Sequence, residues 1–191
     1  MGSRRRVLTW EVPAGSVGWE TAWVEVDGTT LRARGRAFGL RPDPYWLRYA
    51  LRTGPGRVTR SLEVTVESEL AVRKLELARD VYGVWRADGE PVAGLEDALD
   101  CDLGLSPLTS TLPVLRHRLH ESPGERALVA AWVSVPELVV RPSRQHYTHL
   151  GEWPGRGRVR YVSGAFRSDL TVDRDGFVVD CPGLARRVSV A

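Results

Sequence analysis

Histidine, aspartate and aromatic residues are the side chains whose types and spacing could support chemistry in this chain. His117-x-x-His120 and His146-x-x-His149 place four imidazoles in two pairs, a set that could in principle take zinc or copper. On a helix the first pair shares a side, but on an extended segment His146 and His149 point to opposite faces, so neither pair is expected to hold a metal. Asp97, Asp100 and Asp102 form an acidic cluster in "LEDALDCDLGL". If that stretch is a strand, Asp100 and Asp102 share a face, where they could bind a hard cation, work as acid and base, or pair with Arg116. The "DRDG" run at Asp173 to Gly176 has the opening spacing of a calcium loop but lacks its later bidentate Glu, and is read as a hairpin turn.

The signatures of activated nucleophiles and nucleotide cradles are missing. There is no G-x-S-x-G elbow, H-E-x-x-H helix, Walker A loop or dinucleotide glycine fingerprint. No cofactor or metal is therefore expected, and nothing in these motifs points to an enzyme, although acid and base residues can come from separate strands. The seven tryptophans are spread along the chain, and most are expected in the core or on sheet faces. Trp85 in "YGVWRADGE" and Tyr147 in "RQHYTHL" have polar neighbours. With Arg116 and Gln145, they form the candidate ligand-binding set.

The elements that must position these residues are mostly strands. In "SLEVTVESEL", Leu62, Val64 and Val66 alternate with Glu63, Thr65 and Glu67, the period-two pattern of a half-buried strand. The pattern returns in "AWVEV", "RVRYV", "FRSDLTV" and "ARRVSV". Between such runs stand the turn signals Asp27-Gly28, Gly54 to Gly56, Asp88-Gly89 and Asp173 to Gly176, which predict serial hairpins. "ELAVRKLELARDVYG" is read as strand with a bulge, because its apolar residues hold no single helical face.

One helix is predicted, in "LGLSPLTSTLPVLRHRL". Ser110 is its expected N-cap, and Thr109, Ser110 and Thr111 are expected to satisfy free N–H groups. Pro113 falls in the first turn, where its missing N–H costs nothing, and Leu112, Leu115 and Leu119 form one stripe over roughly three turns. Arg116 lies beside that stripe, so it needs a partner: Asp100 or Asp102 would make it scaffold, a ligand head group would make it functional.

At 191 residues, with 42% hydrophobic and 27% charged residues, residues 1–191 are expected to form a single domain with a substantial core. The net charge of +3 is carried almost wholly by arginine, since Lys74 is the one lysine. Basic and acidic residues alternate along the chain, which argues against a nucleic acid partner. Cys101 and Cys181 make no disulfide framework, as a reducing compartment would suit. The "SRRRVL" start is followed by Glu11 and Pro13 where a signal peptide needs an apolar run, and no stretch approaches a membrane span. A cytoplasmic location is expected.

The segment "GVWRADGEPVAGLEDALDCDLGLSPLTSTLPVLRHRL" resembles a family of bacterial proteins described as glycolipid-binding, with a spiral β-roll fold. Gly83, Trp85, Asp88, Gly89, Asp100, Asp102, Ser106, Pro107, Thr109, Thr111, Leu112 and Pro113 stand in the places of that family's motif. The resemblance extends to "LTWEV…GWE" and to "FRSDLTVDRDGFVVDCPGLARRV". Ser110 replaces an Asn, Leu115 and Arg116 stand where a pair of arginines is favoured, and Cys181 replaces an aromatic. The resemblance implies a mainly β fold (α+β), in which a many-stranded antiparallel sheet curls as a spiral β-roll around a single short helix, with a second copy of the chain and an amphipathic glycolipid as partners. The alternatives are an enzyme on a small sugar or acyl substrate using Asp100 and Asp102, or a structural dimer with no room for ligand.

Overall fold

A computed structural model of the chain describes residues 2–13 and 18–188. Fifteen strands form one sheet. The first six are β1 (Arg4–Val12), β2 (Gly18–Asp27), β3 (Thr30–Gly39), β4 (Tyr45–Thr53), β5 (Thr59–Ser68) and β6 (Val72–Arg79). Three short strands follow, β7 (Trp85–Ala87), β8 (Glu90–Pro91) and β9 (Asp100–Leu103), and then the helix α1 (Thr111–Arg116). The remainder are β10 (Glu125–Val133), β11 (Val140–Trp153), β12 (Arg156–Ser163), β13 (Phe166–Asp173), β14 (Val178–Cys181) and β15 (Ala185–Arg187).

The order across the sheet runs from β8 down to β1, then from β15 down to β9, so the first and last strands meet in the middle. The fold is mainly β, and the sheet is not closed as a barrel. The predicted hairpins are all present. Asp88 and Gly89 both adopt positive φ at the β7–β8 turn, and the Asp173 carboxylate accepts from the N–H groups of Asp175 and Phe177 between β13 and β14. The "ARRVSV" strand is seen as Ala185–Arg187, its last two residues lying outside the described residues.

Three expectations about the sheet change. β6 pairs with β5 without a register shift from Ser61↔Ala78 to Glu67↔Val72, so the expected bulge is absent; Leu70 and Val81 lie outside the strand and are exposed. The pair β9–β10 is parallel, because α1 intervenes as a crossover and parallel neighbours need such a connection. Finally, alternation along the strands gathers arginines instead of dispersing them: on β3 and β4, Arg32, Arg34, Arg36, Arg48 and Arg52 are all exposed on one face, with Arg36 opposite Arg48 and Arg32 opposite Arg52.

α1 lies between the two apolar clusters of the sheet. Leu112 and Leu115 join the cluster built mainly on β1–β6, and Val114 and Leu119 join the one built on β11–β14. The predicted apolar stripe is therefore buried, but the helix has six residues and not three turns. Arg118 takes a left-handed φ of 53° and stops it. Ser110 makes no side-chain capping bond. The free N–H groups of Thr111 and Leu112 are instead taken by the carbonyls of Leu108 and Thr109 in the tight turns just before the helix. Thr111 Oγ1 is buried without a hydrogen-bond partner among the described residues, and Pro113 sits inside the first turn as predicted.

Candidate functional site

Strand alternation places Asp100 and Asp102 on the same face of β9, and the helix that follows brings Arg116 back to the first of them. The Arg116 guanidinium pairs with the Asp100 carboxylate and also donates through Nε to Gly56 O at 3.1 Å. Both side chains are nearly excluded from solvent, 11% and 3% exposed. Burial lifts Asp100 to about 6, and the guanidinium opposes that rise. Arg116 thus has its partner in the scaffold.

Asp102 belongs to a different network. Its Oδ1 accepts from Thr109 Oγ1 at 2.9 Å and its Oδ2 from Gln145 Nε2 at 2.6 Å. Tyr147 OH in turn donates to Gln145 Oε1 at 3.2 Å, and the Leu103 N–H donates to Thr109 Oγ1 at 3.2 Å. Burial raises the Asp102 carboxyl above its usual range while these donors pull it down. Unlike Asp100, Asp102 is only half-buried, and it lines an open cleft of ≈ 930 Å³.

The cleft lies where β9–β12 meet the loops after β3 and β10. In register, Asp102 neighbours Trp132 on β10, and Trp132 neighbours Arg141 on β11. Leu105, Val135, Tyr161, Phe166 and Leu184 add apolar surface; Ser110 and Ser163 add hydroxyls. Arg41, Arg141 and Arg144, all exposed, and Glu137 line its outer part. Tyr161 stacks obliquely on Tyr147 behind it and on Phe166, with ring centroids 5.0 and 5.9 Å apart.

A narrower recess adjoins the cleft, sharing Leu103, Gly104, Leu105, Ser106 and Val135 with it. Glu20 on β2 lines this recess, 2% exposed, its Oε1 accepting from Tyr49 OH at 2.6 Å and Ser106 Oγ at 2.8 Å. Burial outweighs both hydrogen bonds and raises Glu20 to about 7.

The four residues singled out as ligand-binding are placed differently from one another. Trp85 is fully buried and its Nε1–H donates to Ala98 O at 2.9 Å, so polar flanks in sequence conceal a core position. Arg116 is turned to Asp100. Gln145 and Tyr147 are buried behind Asp102 and hold it from the rear. Ser110 and Asp102 line the cleft, and Thr109 orients Asp102. Glu20, Trp132, Tyr161 and Phe166 were not anticipated. The one sequence signal for Glu20 was its parity, since it shares the inward face of β2 with Ala22 and Val24. Among the described residues no group of three or more His, Cys, Asp or Glu side chains could hold a metal ion. His117 and His120 follow the helix, while His146 on β11 pairs with Glu125 at 2.6 Å. Cys101 and Cys181 are free and buried.

The architecture is that of a mainly β protein whose single wide sheet packs on a short helix and leaves an apolar, carboxylate-based cleft beside it. The chain belongs to the family described as "Putative glycolipid-binding", whose pattern it matches over residues 7–187. It is also similar to a crystal structure of a DUF1089 family protein from Pseudomonas aeruginosa, at 32% sequence identity and a TM-score of 0.73, covering 92% of this chain and 94% of that one. No curated protein matches the chain. Among the described residues no helix is long and apolar enough to cross a membrane.

Proposed function

We propose that the chain binds an amphipathic molecule with a sugar-bearing head in the cleft beside α1. The observation that carries this reading is the fixed Asp102 carboxylate next to Trp132 in an otherwise largely apolar cleft. Sugar hydroxyls donate to carboxylates, and the carbon-bound face of a sugar ring packs on an indole, so the pair suits a polyhydroxylated head. Because Thr109 and Gln145 already orient Asp102, little ordering remains to be done on binding. The lipid part would lie against Leu105, Val135, Phe166 and Leu184, where each buried methylene contributes about 0.8 kcal/mol. The cleft volume falls in the range of small-molecule sites. The family's description supports the same class of ligand.

The acid-base alternative requires Asp100 and Asp102 to face a substrate together, and Asp100 is occupied by Arg116 away from the cleft lining. A binding role without turnover is the reading this favours. The sheet's packing on both sides of α1 likewise supports the spiral roll that the family resemblance implies.

Lipid extraction and mass spectrometry of protein purified from its native host test the proposal. A sugar-bearing lipid should co-purify with the wild-type chain and be depleted in Trp132→Ala. Absence of any such lipid, together with no rise in melting temperature on adding one, would count against it.

A further inference from the structure

The outward face of β1–β4, opposite the face that packs on α1, carries an unbalanced charge. Strand parity puts Arg5, Arg32, Arg34, Arg36, Arg48 and Arg52 on it against Glu11, Glu25 and Asp27, an excess of three positive charges. Two pairs of arginines stand directly opposite each other across β3 and β4, Arg36 with Arg48 and Arg32 with Arg52, an arrangement that destabilises a sheet. Glu25 lies in register between Arg5 and Arg32, and Arg48 reaches Glu67 on β5 at 3.7 Å. Arg34, Arg36 and Arg52 form no ion pair among the described residues. Ala50, in register with Arg34, keeps the middle of the field low, and two shallow open hollows of ≈ 610 and ≈ 550 Å³ meet there, both lined by Trp23, Arg34 and Ala50.

Apolar side chains interleave with these arginines. Trp19, Phe38 and Trp46 are neighbours in register across β2, β3 and β4, one row from Arg36 and Arg48, and the rings of Phe38 and Trp46 lie 5.5 Å apart. Val7 and Trp23 form another row that ends on Arg34. Val7 is 63% exposed and Trp46 67%. Indoles are enriched where membranes meet water, and exposed apolar surface rimmed by polar groups marks an interaction site.

We infer that this face is a peripheral docking surface for an anionic lipid bilayer, with the guanidiniums on head-group phosphates and the indoles at the boundary with the acyl chains. Arginine pairs with phosphate through two parallel N–H donors, which would offset the repulsion between the opposed pairs. A second copy set face to face would oppose arginine to arginine. A single-stranded nucleic acid would stack on the rings but has no use for Val7, and it takes its charge along one track; a bilayer takes charge over an area and covers aliphatic and aromatic surface alike. The loop leaving β3 carries Arg41 and Pro42 to the lining of the Asp102 cleft, so docking sets that loop beside the lipid. The docking surface does not depend on what the cleft binds.

Co-sedimentation of the full chain with vesicles tests this. The chain should pellet with vesicles of phosphatidylglycerol mixed into phosphatidylcholine and not with phosphatidylcholine alone, and the binding should fall steeply with added salt. Arg34→Gln combined with Arg36→Gln should weaken it about 25-fold, since each arginine near an anionic surface contributes about a fivefold factor, and Trp46→Ser should weaken it severalfold. No binding, equal binding to both kinds of vesicle, or binding indifferent to the double substitution overturns the surface. Tighter binding to a single-stranded oligothymidine than to the anionic vesicles, or a dimer in light scattering that Trp46→Ser splits, also overturns it, because each gives the face another occupant. Should the double variant fail to fold, the wild type decides: vesicles brominated in their acyl chains should quench part of its tryptophan emission as phosphatidylglycerol is added, and unchanged emission overturns the surface. None of the substituted residues lines the Asp102 cleft, so vesicle binding succeeds or fails independently of glycoside binding there.

Discussion

Replacing Glu20 by Gln should remove a pH dependence of stability that the fold builds in. The carboxyl is 2% exposed, with two neutral donors, Tyr49 OH and Ser106 Oγ, on the same oxygen and no cation paired with it among the described residues. Burial raises it from 4.5 to about 7. In the unfolded chain it ionises near 4.5 and in the folded chain near 7, so the unfolded state releases its proton first and stability falls as pH rises through that window. At 1.36 kcal/mol for each tenfold change in ionisation, the full loss is about 3 kcal/mol, of which about 2.5 kcal/mol falls between pH 5 and pH 8. Gln keeps the acceptor oxygen for Tyr49 and Ser106 and cannot ionise. Urea unfolding of both proteins from pH 4 to pH 8 reads the difference directly. The gap between variant and wild type should widen by that amount in favour of Glu20→Gln, because titrations elsewhere cancel. Parallel profiles would refute the reasoning, since they would mean that Glu20 is solvated or neutralised by a cation. Ser106, shared by the recess and the cleft, links this carboxylate to the binding region.

Arg116→Met should destabilise the fold by about 3–5 kcal/mol near neutral pH, since it strands a buried carboxylate; Asp100→Leu in addition should recover much of the loss, as thermal denaturation would show. Trp85→Ala should cost about 3–5 kcal/mol in chemical denaturation, as expected of a fully buried indole; a change near zero would show that Trp85 is not core. Light scattering should return twice the 21.2 kDa chain mass if the homodimer implied by the family holds, and the chain mass if it does not.

Much of the fold was legible because strands announce themselves locally. Alternation over four to eight residues located β2, β5, β12 and β13, and the turn signals at Asp27-Gly28, Gly54 to Gly56 and Asp173 to Gly176 located the β2–β3, β4–β5 and β13–β14 hairpins. The helix was legible in its stripe but not in its length, because Arg118 in a left-handed conformation has no sequence signal of the kind glycine gives. The need for an Arg116 partner followed from its place beside leucines, and Asp100 met it. The cleft was less legible. Asp102 was visible as a chemical group, yet whether it faced solvent or Arg116 depended on the path from β9 through α1. Trp85 misled because a core indole in a short strand next to a hairpin turn has polar neighbours as a matter of geometry. Glu20, Tyr49 and Ser106 meet across 86 positions of sequence, and parity alone marked the first of them. The arginines of β3 stand at every second position and those of β4 four apart, a pattern that a count of alternating charge along the chain cannot distinguish from dispersal.

The central claim is that the cleft holds a sugar-headed amphipath through Asp102 and Trp132. Native mass spectrometry of delipidated protein, titrated with octyl glucoside below its micelle concentration and with an octyl alcohol lacking the sugar, tests it most directly. The predicted result is a saturable adduct with the glycoside, weaker with the alcohol, and weakened about tenfold or more in Asp102→Asn and Trp132→Ala. Equal adducts with both compounds, or glycoside binding indifferent to both substitutions, would contradict the account.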